Sequence, residues 1–417
     1  MKVREVQHPA HIVPLAFLIT ILIGTALLML PVSRADAVGA PWIAALFTAV
    51  SAVCVTGLVT VDTGTYWSSF GQWVIMALLQ IGGFGMMTLG IGDVSSVAKL
   101  VLFVTVIVEV MTALALALRL HLGYDLPLAE AAWSGLFHSV SAFNNAGFSI
   151  HADGLIRYAS DSYVLAPVML AIVIGGLGFP VLQDLRNKLR DPQHWSVHTK
   201  LTLVGTAVLL AGGAILLLAF EWANPRTLGS MPAGDKLLSA IFASVSARTA
   251  GFNSIDIGGL THESLGLHYF LMFIGGGSAG TAGGVKVGTA MILVMLVIAE
   301  IRGRMDTEAF GRRISHSAQR QAITVLVLSS AVVVLGTVFI LHTTEIATDR
   351  VIFEVISAFA TVGLSTGITA DLPDSAQLML ILLMYIGRVG TITLAASLAL
   401  GEHRMPFRYP EEHPVVG

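Results

Sequence analysis

Apolar runs of membrane-crossing length recur along this chain, and they dictate what it can fold into. Eight stretches, at about 12–31, 70–90, 100–120, 162–182, 200–221, 265–299, 321–342 and 375–400, approach or exceed the ~20 residues that a hydrocarbon core of ~30 Å requires. The run 12–31 has no small-residue cleavage site behind it, so it is read as a retained span. Between successive pairs lie shorter apolar runs, at about 41–54, 129–143, 234–247 and 349–360, too short to cross and fitting half-helices that enter and return. The chain is 55% hydrophobic and 12% charged, well below the roughly 25% charged share of a soluble domain. An ordinary cytosolic enzyme and a disordered chain are both excluded. A net charge of −3 supplies no basic footprint for nucleic acid, and the single cysteine, Cys54, rules out an internal disulfide.

The pattern is a fourfold internal repeat. The half-helices end in Phe47-Thr-Ala-Val-Ser-Ala, Phe137-His-Ser-Val-Ser-Ala, Phe242-Ala-Ser-Val-Ser-Ala and Phe353-Glu-Val-Ile-Ser-Ala, and each runs into a glycine, Gly57, Gly147, Gly251 or Gly363. A second register comes later, in Ile81-Gly-Gly-Phe-Gly, Ile174-Gly-Gly-Leu-Gly, Ile274-Gly-Gly-Gly-Ser and Ile386-Gly-Arg-Val-Gly, where the second span of each unit is expected to be interrupted. Two registers at a long period fix an architecture before any motif is named. The expected fold is an all-α polytopic membrane protein, with four tandem repeats of span, pore half-helix and span in pseudo-fourfold arrangement around one central pore. The repeats fall at 1–98, 99–198, 199–320 and 321–417, the last with a short cytoplasmic tail.

Lys2, Arg4, Lys99, Arg186, Lys188, Arg190, Lys200, Arg302, Arg304, Arg312, Arg313, Arg320, Arg404 and Arg408 fall on one side, which the positive-inside rule makes cytoplasmic with both termini. Asp36, Asp62, Asp125, Glu130, Asp153, Asp256, Glu263, Asp371 and Asp374 fall outside, where they either attract cations or merely solvate loops.

Irregular backbone at membrane depth is tolerated only when buried in protein or lining a water-filled path. The segments Val55-Thr56-Gly57-Leu58, Asn145-Ala146-Gly147-Phe148, Thr249-Ala250-Gly251-Phe252 and Thr361-Val362-Gly363-Leu364 would converge if the repeats pack as a ring. Glycine opens backbone torsions closed to other residues, which lets successive carbonyls face one way. Rings of such carbonyls replace the hydration shell of an alkali cation. The half-helices would aim their partially negative C-terminal ends at the same axis.

With one glycine per segment, this arrangement resembles the Trk/Ktr/HKT superfamily of potassium transporters over about residues 12–400, and within it the Ktr type, given Ser-Ala-Val-Cys-Val-Thr-Gly-Leu-Val-Thr-Val-Asp at 51–62. The resemblance implies potassium uptake across a bacterial inner membrane, with K+ held in a filter of Val55, Thr56, Gly57, Asn145, Ala146, Gly147, Thr249, Ala250, Gly251, Thr361, Val362 and Gly363. It implies a homodimer on cytosolic nucleotide-binding, RCK-type (KtrA-like) regulatory subunits, with Na+ as a stimulating ion and no organic cofactor. It also implies a longer connection between the first and second repeats than Leu89 to Lys99 provides. One glycine per repeat leaves fewer stacked carbonyl rings than four identical channel loops, so some sodium entry is expected at low potassium.

A gate is expected at Gly275-Gly276-Gly277-Ser278-Ala279-Gly280-Thr281-Ala282-Gly283-Gly284, since each glycine costs about 1 kcal/mol relative to alanine in a helix. Such a run makes a flexible mid-membrane loop, which the resemblance turns into an intramembrane gating loop. Arg388 lies in the last span, where a charge costs at least ~2.5 kcal/mol. The resemblance puts such an arginine beside the loop, repelling potassium when the gate is shut; alternatively it ties down loop carbonyls. Lys286 is expected to snorkel to the cytoplasm. Glu109 is expected to pair or pack within the bundle, and His138 and Arg248 to brace the filter from behind. Secondary active transport with alternating access and Trk-type coupling are the alternatives. The four repeats entering in one sense count against inverted repeats, and an intramembrane enzyme would need a nucleophile and base that the deep segments lack.

Overall fold

The structure, a computed structural model, describes residues 9–88 and 94–390, with side chains over 13–85 and 99–390. The connection 89–93, the tail beyond 390 with Arg404 and Arg408, the last ten residues of the expected eighth span, and Lys2 and Arg4 lie outside the described residues.

The described residues are mostly helical. Helix α1 (Pro9–Leu28) leads to the half-helix α2 (Trp42–Val53), a single turn α3 (Thr63–Tyr66) and α4 (Ser69–Thr88). The order then repeats as α5 (Val94–Tyr124), α6 (Leu128–Phe143), α7 (Ser162–Leu177) and α8 (Phe179–Lys188). A third round comprises α9 (Val197–Glu221), α10 (Ala233–Ala247), α11 (His262–Phe273) and α12 (Val287–Ile301). After a two-stranded hairpin, β1 (Glu308–Ala309) with β2 (Arg312–Arg313), come α13 (His316–Thr343), α14 (Thr348–Phe359) and α15 (Asp374–Tyr385). The expected half-helices thus match α2, α6, α10 and α14 to within a residue or two.

Burial sorts these elements. Lys99–Tyr124, Val197–Glu221 and His316–Thr343 are each long and apolar enough to cross a bilayer, and no more than 22% of the apolar stretch of each is buried, as lipid contact requires. The half-helices are the reverse: Phe47, Phe137, Phe242 and Phe353 are fully buried at the same register of each. The core therefore sits on α2, α6, α10 and α14, with the long helices outside.

The Ile-Gly sites do not all interrupt a helix, as the repeat alone implies. α4 runs unbroken through Ile81-Gly82-Gly83-Phe84-Gly85. There the glycines serve close approach: a methyl built on Gly82 would lie 2.0 Å from the Val53 carbonyl oxygen at the end of α2. Gly175 meets Phe143 O at 1.9 Å in the same way, and Gly387 meets Phe359 O at 1.6 Å. In the second repeat the break comes three residues later, at Gly178, where φ is +89° and α8 leaves α7 at 97°. The third breaks over 274–286, and the fourth distorts into a π-turn at Ile386–Gly390. In the first, second and fourth repeats this glycine register thus seats the second helix on the half-helix end, whereas in the third Gly275 meets Gly283 O at 2.0 Å within the broken stretch.

Candidate functional site

A serine near the end of each half-helix anchors the irregular segment behind it. The backbone NH groups of Thr56, Ala146 and Val362 donate to the carbonyls of Ser51, Ser141 and Ser357 at 2.7–2.8 Å, and those of Gly57 and Gly363 donate to Ser51 Oγ and Ser357 Oγ, both at 3.1 Å. The third segment is one residue shorter. Gly251 N there donates to Ser246 O at 3.2 Å, and Arg248 turns at φ −89°, ψ 58° to take up the missing residue.

The backbone after each helix alternates in hand. Val55, Asn145, Thr249 and Thr361 have φ of 56°, 57°, 71° and 50°, and Gly57, Gly147, Gly251 and Gly363 have 91°, 67°, 77° and 94°. Left-handed torsions in β-branched residues are uncommon and are held only where surroundings over-determine them.

The four glycines adjoin in cyclic order. A methyl on Gly57 would lie 2.2 Å from Ala146 O, one on Gly147 2.8 Å from Ala250 O, one on Gly251 2.2 Å from Val362 O, and one on Gly363 2.1 Å from Thr56 O. Each glycine thus rests on the carbonyl just before the next glycine, and the fourth returns to the first. No side chain fits at any of the four positions without moving backbone. Thr56, Ala146, Thr249, Ala250, Thr361 and Val362 are all fully buried.

Above the glycines opens a cavity of about 270 Å³, lined by all four and by Asp62, Ser149, His151, Asn253, Ser365 and Thr369 among others. Asp62 is its carboxylate, and it also caps α3 by accepting from Thr65 N at 2.7 Å. Burial first, and then the Arg157 charge, push the His151 imidazole below its usual range, although Asp153 and Asp62 pull the other way. The cavity therefore holds a carboxylate and no opposing imidazolium near neutral pH. A His151→Gln variant should show the same pH profile of ion flux as the parent between about pH 6.5 and 8; a titration step that the variant abolishes would show that the ring charges there. Several outer acids serve local structure: Asp36 pairs with Arg34 at 2.8 Å, Asp153 with Arg157 at 2.8 Å, and Asp256 caps a short helix.

Below the glycines lies the segment 274–286. It is irregular, as its composition dictates, yet bonded at almost every step. Gly275 N donates to Val285 O (2.9 Å), Gly277 N to Gly176 O (2.8 Å), Thr281 N to Gly175 O (3.2 Å) and Val287 N to Gly276 O (2.9 Å), while Phe179 N donates to Ala279 O (3.1 Å). The break at Gly178 is what receives it, because a methyl there would lie 2.2 Å from Ser278 O. Thr281 is a node, with its hydroxyl 3.2 Å from both Phe143 O and Asn145 Oδ1. Gly276, Ser278, Ala282, Gly283 and Gly284 complete the turn, with Ala279 and Gly284 at φ 56° and 64°.

Arg388 is fully buried and donates to Thr281 O and, at 3.3 Å, to Gly82 O. It thus ties the segment to α4 across the molecule. Arg248 Nη2 donates to Gly275 O at 2.9 Å. Lys286 does not reach for the cytoplasm: its Nζ turns back onto Ala282 O at 2.6 Å, because the last turn of the segment leaves that carbonyl without a helical partner. Glu109 joins a polar cluster, accepting from Gln80 Nε2 at 3.3 Å and Asn144 Nδ2 at 3.4 Å. Cys54 is a buried filler at the end of α2. Among the described residues no group of His, Cys, Asp or Glu could cage a metal.

Apolar helices around a buried knot of irregular backbone define an integral membrane protein. Residues 90–403 match the family model described as TrkH, cation transport protein, and the chain belongs to that family, one of transporters and not of enzymes. It is 39% identical to Ktr system potassium uptake protein B of Bacillus subtilis over 98% of this chain and 97% of that one. It is 37% identical to the potassium/sodium uptake protein NtpJ of Enterococcus hirae, over 100% of this chain and 99% of that protein. The fold matches the crystal structure of the potassium transporter TrkH from Vibrio parahaemolyticus with a TM-score of 0.74 at 20% identity, covering 95% of this chain and 86% of that one.

Proposed function

We propose that this protein takes up potassium through a pore on the axis of the four glycine segments, as the membrane subunit of a Ktr-type system. The observation that carries the reading is the cyclic contact of Gly57, Gly147, Gly251 and Gly363, each against the preceding carbonyl of the next segment. Carbonyl oxygens of Val55, Thr56, Asn145, Ala146, Thr249, Ala250, Thr361 and Val362, with those of the glycines, then supply ligands to a dehydrated K+ ion. Four half-helix C-termini add negative potential, which favours cations over anions. The buried hydroxyls of Thr56, Thr249 and Thr361 have no hydrogen-bond partner among the described residues. Relatives named for potassium uptake, and for potassium and sodium uptake, support the choice of ion and an admixture of Na+.

In this reading the repeats span 1–98, 99–198, 199–320 and 321–417 around one pore, both termini are cytoplasmic in a bacterial inner membrane, and 275–284 with Arg388 forms the gate. The segment is a barrier held shut by its bonds to Gly175, Gly176, Phe179 and Arg388. Homodimerisation and RCK-type cytosolic partners belong to the same proposal, supported by a relative named as part of a Ktr system. Proteoliposomes test the proposal: a potassium gradient alone should drive uptake, and deletion of Gly277 to Gly280 should raise its rate. Uptake that requires a proton gradient would favour alternating access, and a slower deletion variant would remove the gate from 275–284.

A further inference from the structure

The residue after the buried phenylalanine differs in each half-helix: Thr48, His138, Ala243 and Glu354. So does the residue two places beyond each central glycine: Val59, Ser149, Asn253 and Ser365. In two of the four repeats the two positions are hydrogen-bonded to one another.

In the fourth repeat Glu354 is fully buried on α14 and receives the Ser365 hydroxyl, the Thr366 NH at 3.2 Å and the Thr369 hydroxyl at 3.2 Å. All three groups lie on the strand that leaves the glycine outward. In the second repeat His138 is buried on α6, with Nδ1 2.8 Å from Ser134 O and Nε2 2.9 Å from Ser149 Oγ. A carbonyl cannot donate, so Nδ1 carries the proton, and Nε2 of the neutral ring accepts from Ser149. Two unrelated side chains therefore act alike, since each accepts a serine hydroxyl two residues past the glycine and fastens the outgoing strand to its own half-helix. His151 stacks on His138 at 4.9 Å and closes the clamp from the cavity side.

The first and third repeats cannot copy this. Val59 and Ala243 have no hydrogen-bonding side chain, and the Thr48 hydroxyl is unpartnered among the described residues. In the cyclic order the repeats with this side-chain pair, second and fourth, alternate with those without it; the third is fastened differently, by Ser246 Oγ donating to Phe252 O and Leu155 N to Asn253 O.

We propose that His138 and Glu354 are positioning residues for ion selection: they hold Gly147 and Gly363 at a fixed separation across the axis. The inference rests on the pore reading. A cavity sized for K+ discriminates against Na+ only if its carbonyls resist closing on the smaller ion, so two opposed rigid walls set the preference. Buried hydrogen bonds to a carboxylate or imidazole are strong enough to do this.

The test is the ratio of K+ to Na+ uptake in proteoliposomes of the full chain. Ser365→Ala and Ser149→Ala each remove one hydroxyl, and each should lower the ratio about tenfold, the size of one hydrogen bond to a charged or buried acceptor. Glu354→Ala strands three donors and should lower the ratio at least as far as Ser365→Ala, and the double variant should add little to Glu354→Ala, because both break one clamp. His138→Gln retains an acceptor and should restore most of what His138→Ala loses. Thr48→Val, at an unclamped position, should leave the ratio alone. Variants with parental melting temperatures and an unchanged ratio would overturn the proposal. Gly251→Ser separates the levels: if it collapses the ratio while the serine variants do not, the clamp fails and the pore stands; if it too leaves the ratio intact, the pore reading fails.

Discussion

Serine at Gly251 should abolish high-affinity potassium uptake in a strain that lacks its own uptake systems. Two costs add at that position. The backbone sits at φ +77°, where a residue with a Cβ is penalised by roughly 1–2 kcal/mol. The Cβ itself would lie 2.2 Å from Val362 O and 3.1–3.2 Å from the Cα atoms of Gly147 and Gly363, so two neighbouring segments must retreat. Overpacking of this kind costs about 1–3 kcal/mol even where a core can yield. Together the terms imply a loss of at least about thirtyfold in apparent affinity for K+. Growth at limiting potassium and Rb+ uptake both read this out. Since a misfolded variant would also fail, the decisive measurement is ion preference in purified protein of normal melting temperature. An unchanged preference would remove Gly251 from the conduction path.

Alanine at Arg388 should make the protein leaky. The guanidinium is buried, tied to Thr281 O and Gly82 O, and close to the segment that lies beneath the glycines. A unit charge within ~8 Å of a passing cation, at an effective permittivity of ~20, raises its energy by about 2 kcal/mol, or roughly thirtyfold in rate. Alanine removes that repulsion and releases the Thr281 carbonyl that the guanidinium pins. Basal K+ flux in proteoliposomes should therefore rise at least about tenfold. Arg388→Lys separates the two contributions: it keeps the charge but not the fork that reaches both carbonyls. A tight lysine variant assigns the barrier to charge, and a leaky one assigns it to the tie. An alanine variant as tight as the parent would confine Arg388 to holding the fold.

Of the fold, the half-helices were legible because their lengths cannot cross a bilayer and their Phe-x-x-x-Ser-Ala ends recur. α2, α6, α10 and α14 fall where expected. The unequal behaviour of the four Ile-Gly sites was not legible. A glycine that lets a helix approach a carbonyl and a glycine that breaks a helix look the same in sequence, and only the presence of Val53 O beside Gly82, or of Ser278 O beside Gly178, distinguishes them. Lys286 shows a second limit: its stem is long enough to reach water, yet an open carbonyl at Ala282 lies nearer. His138 was expected as a brace, and its bond to Ser149 fits that part, whereas Glu354 was missed. The signal for it existed, as a carboxylate within an otherwise apolar half-helix, in register with His138.

The amino-acid order alone determined the solvent of this protein, its fourfold rhythm and the positions of its irregular segments. Those come from local quantities, namely how many apolar residues lie in a row and where glycine interrupts them. Which segments touch, which carbonyl faces which glycine, and where Arg388 finds its acceptors were decided only by the packed structure. The reason is that these contacts join residues as distant in sequence as Gly82 and Arg388, 306 positions apart, and no local term in the chain carries that information.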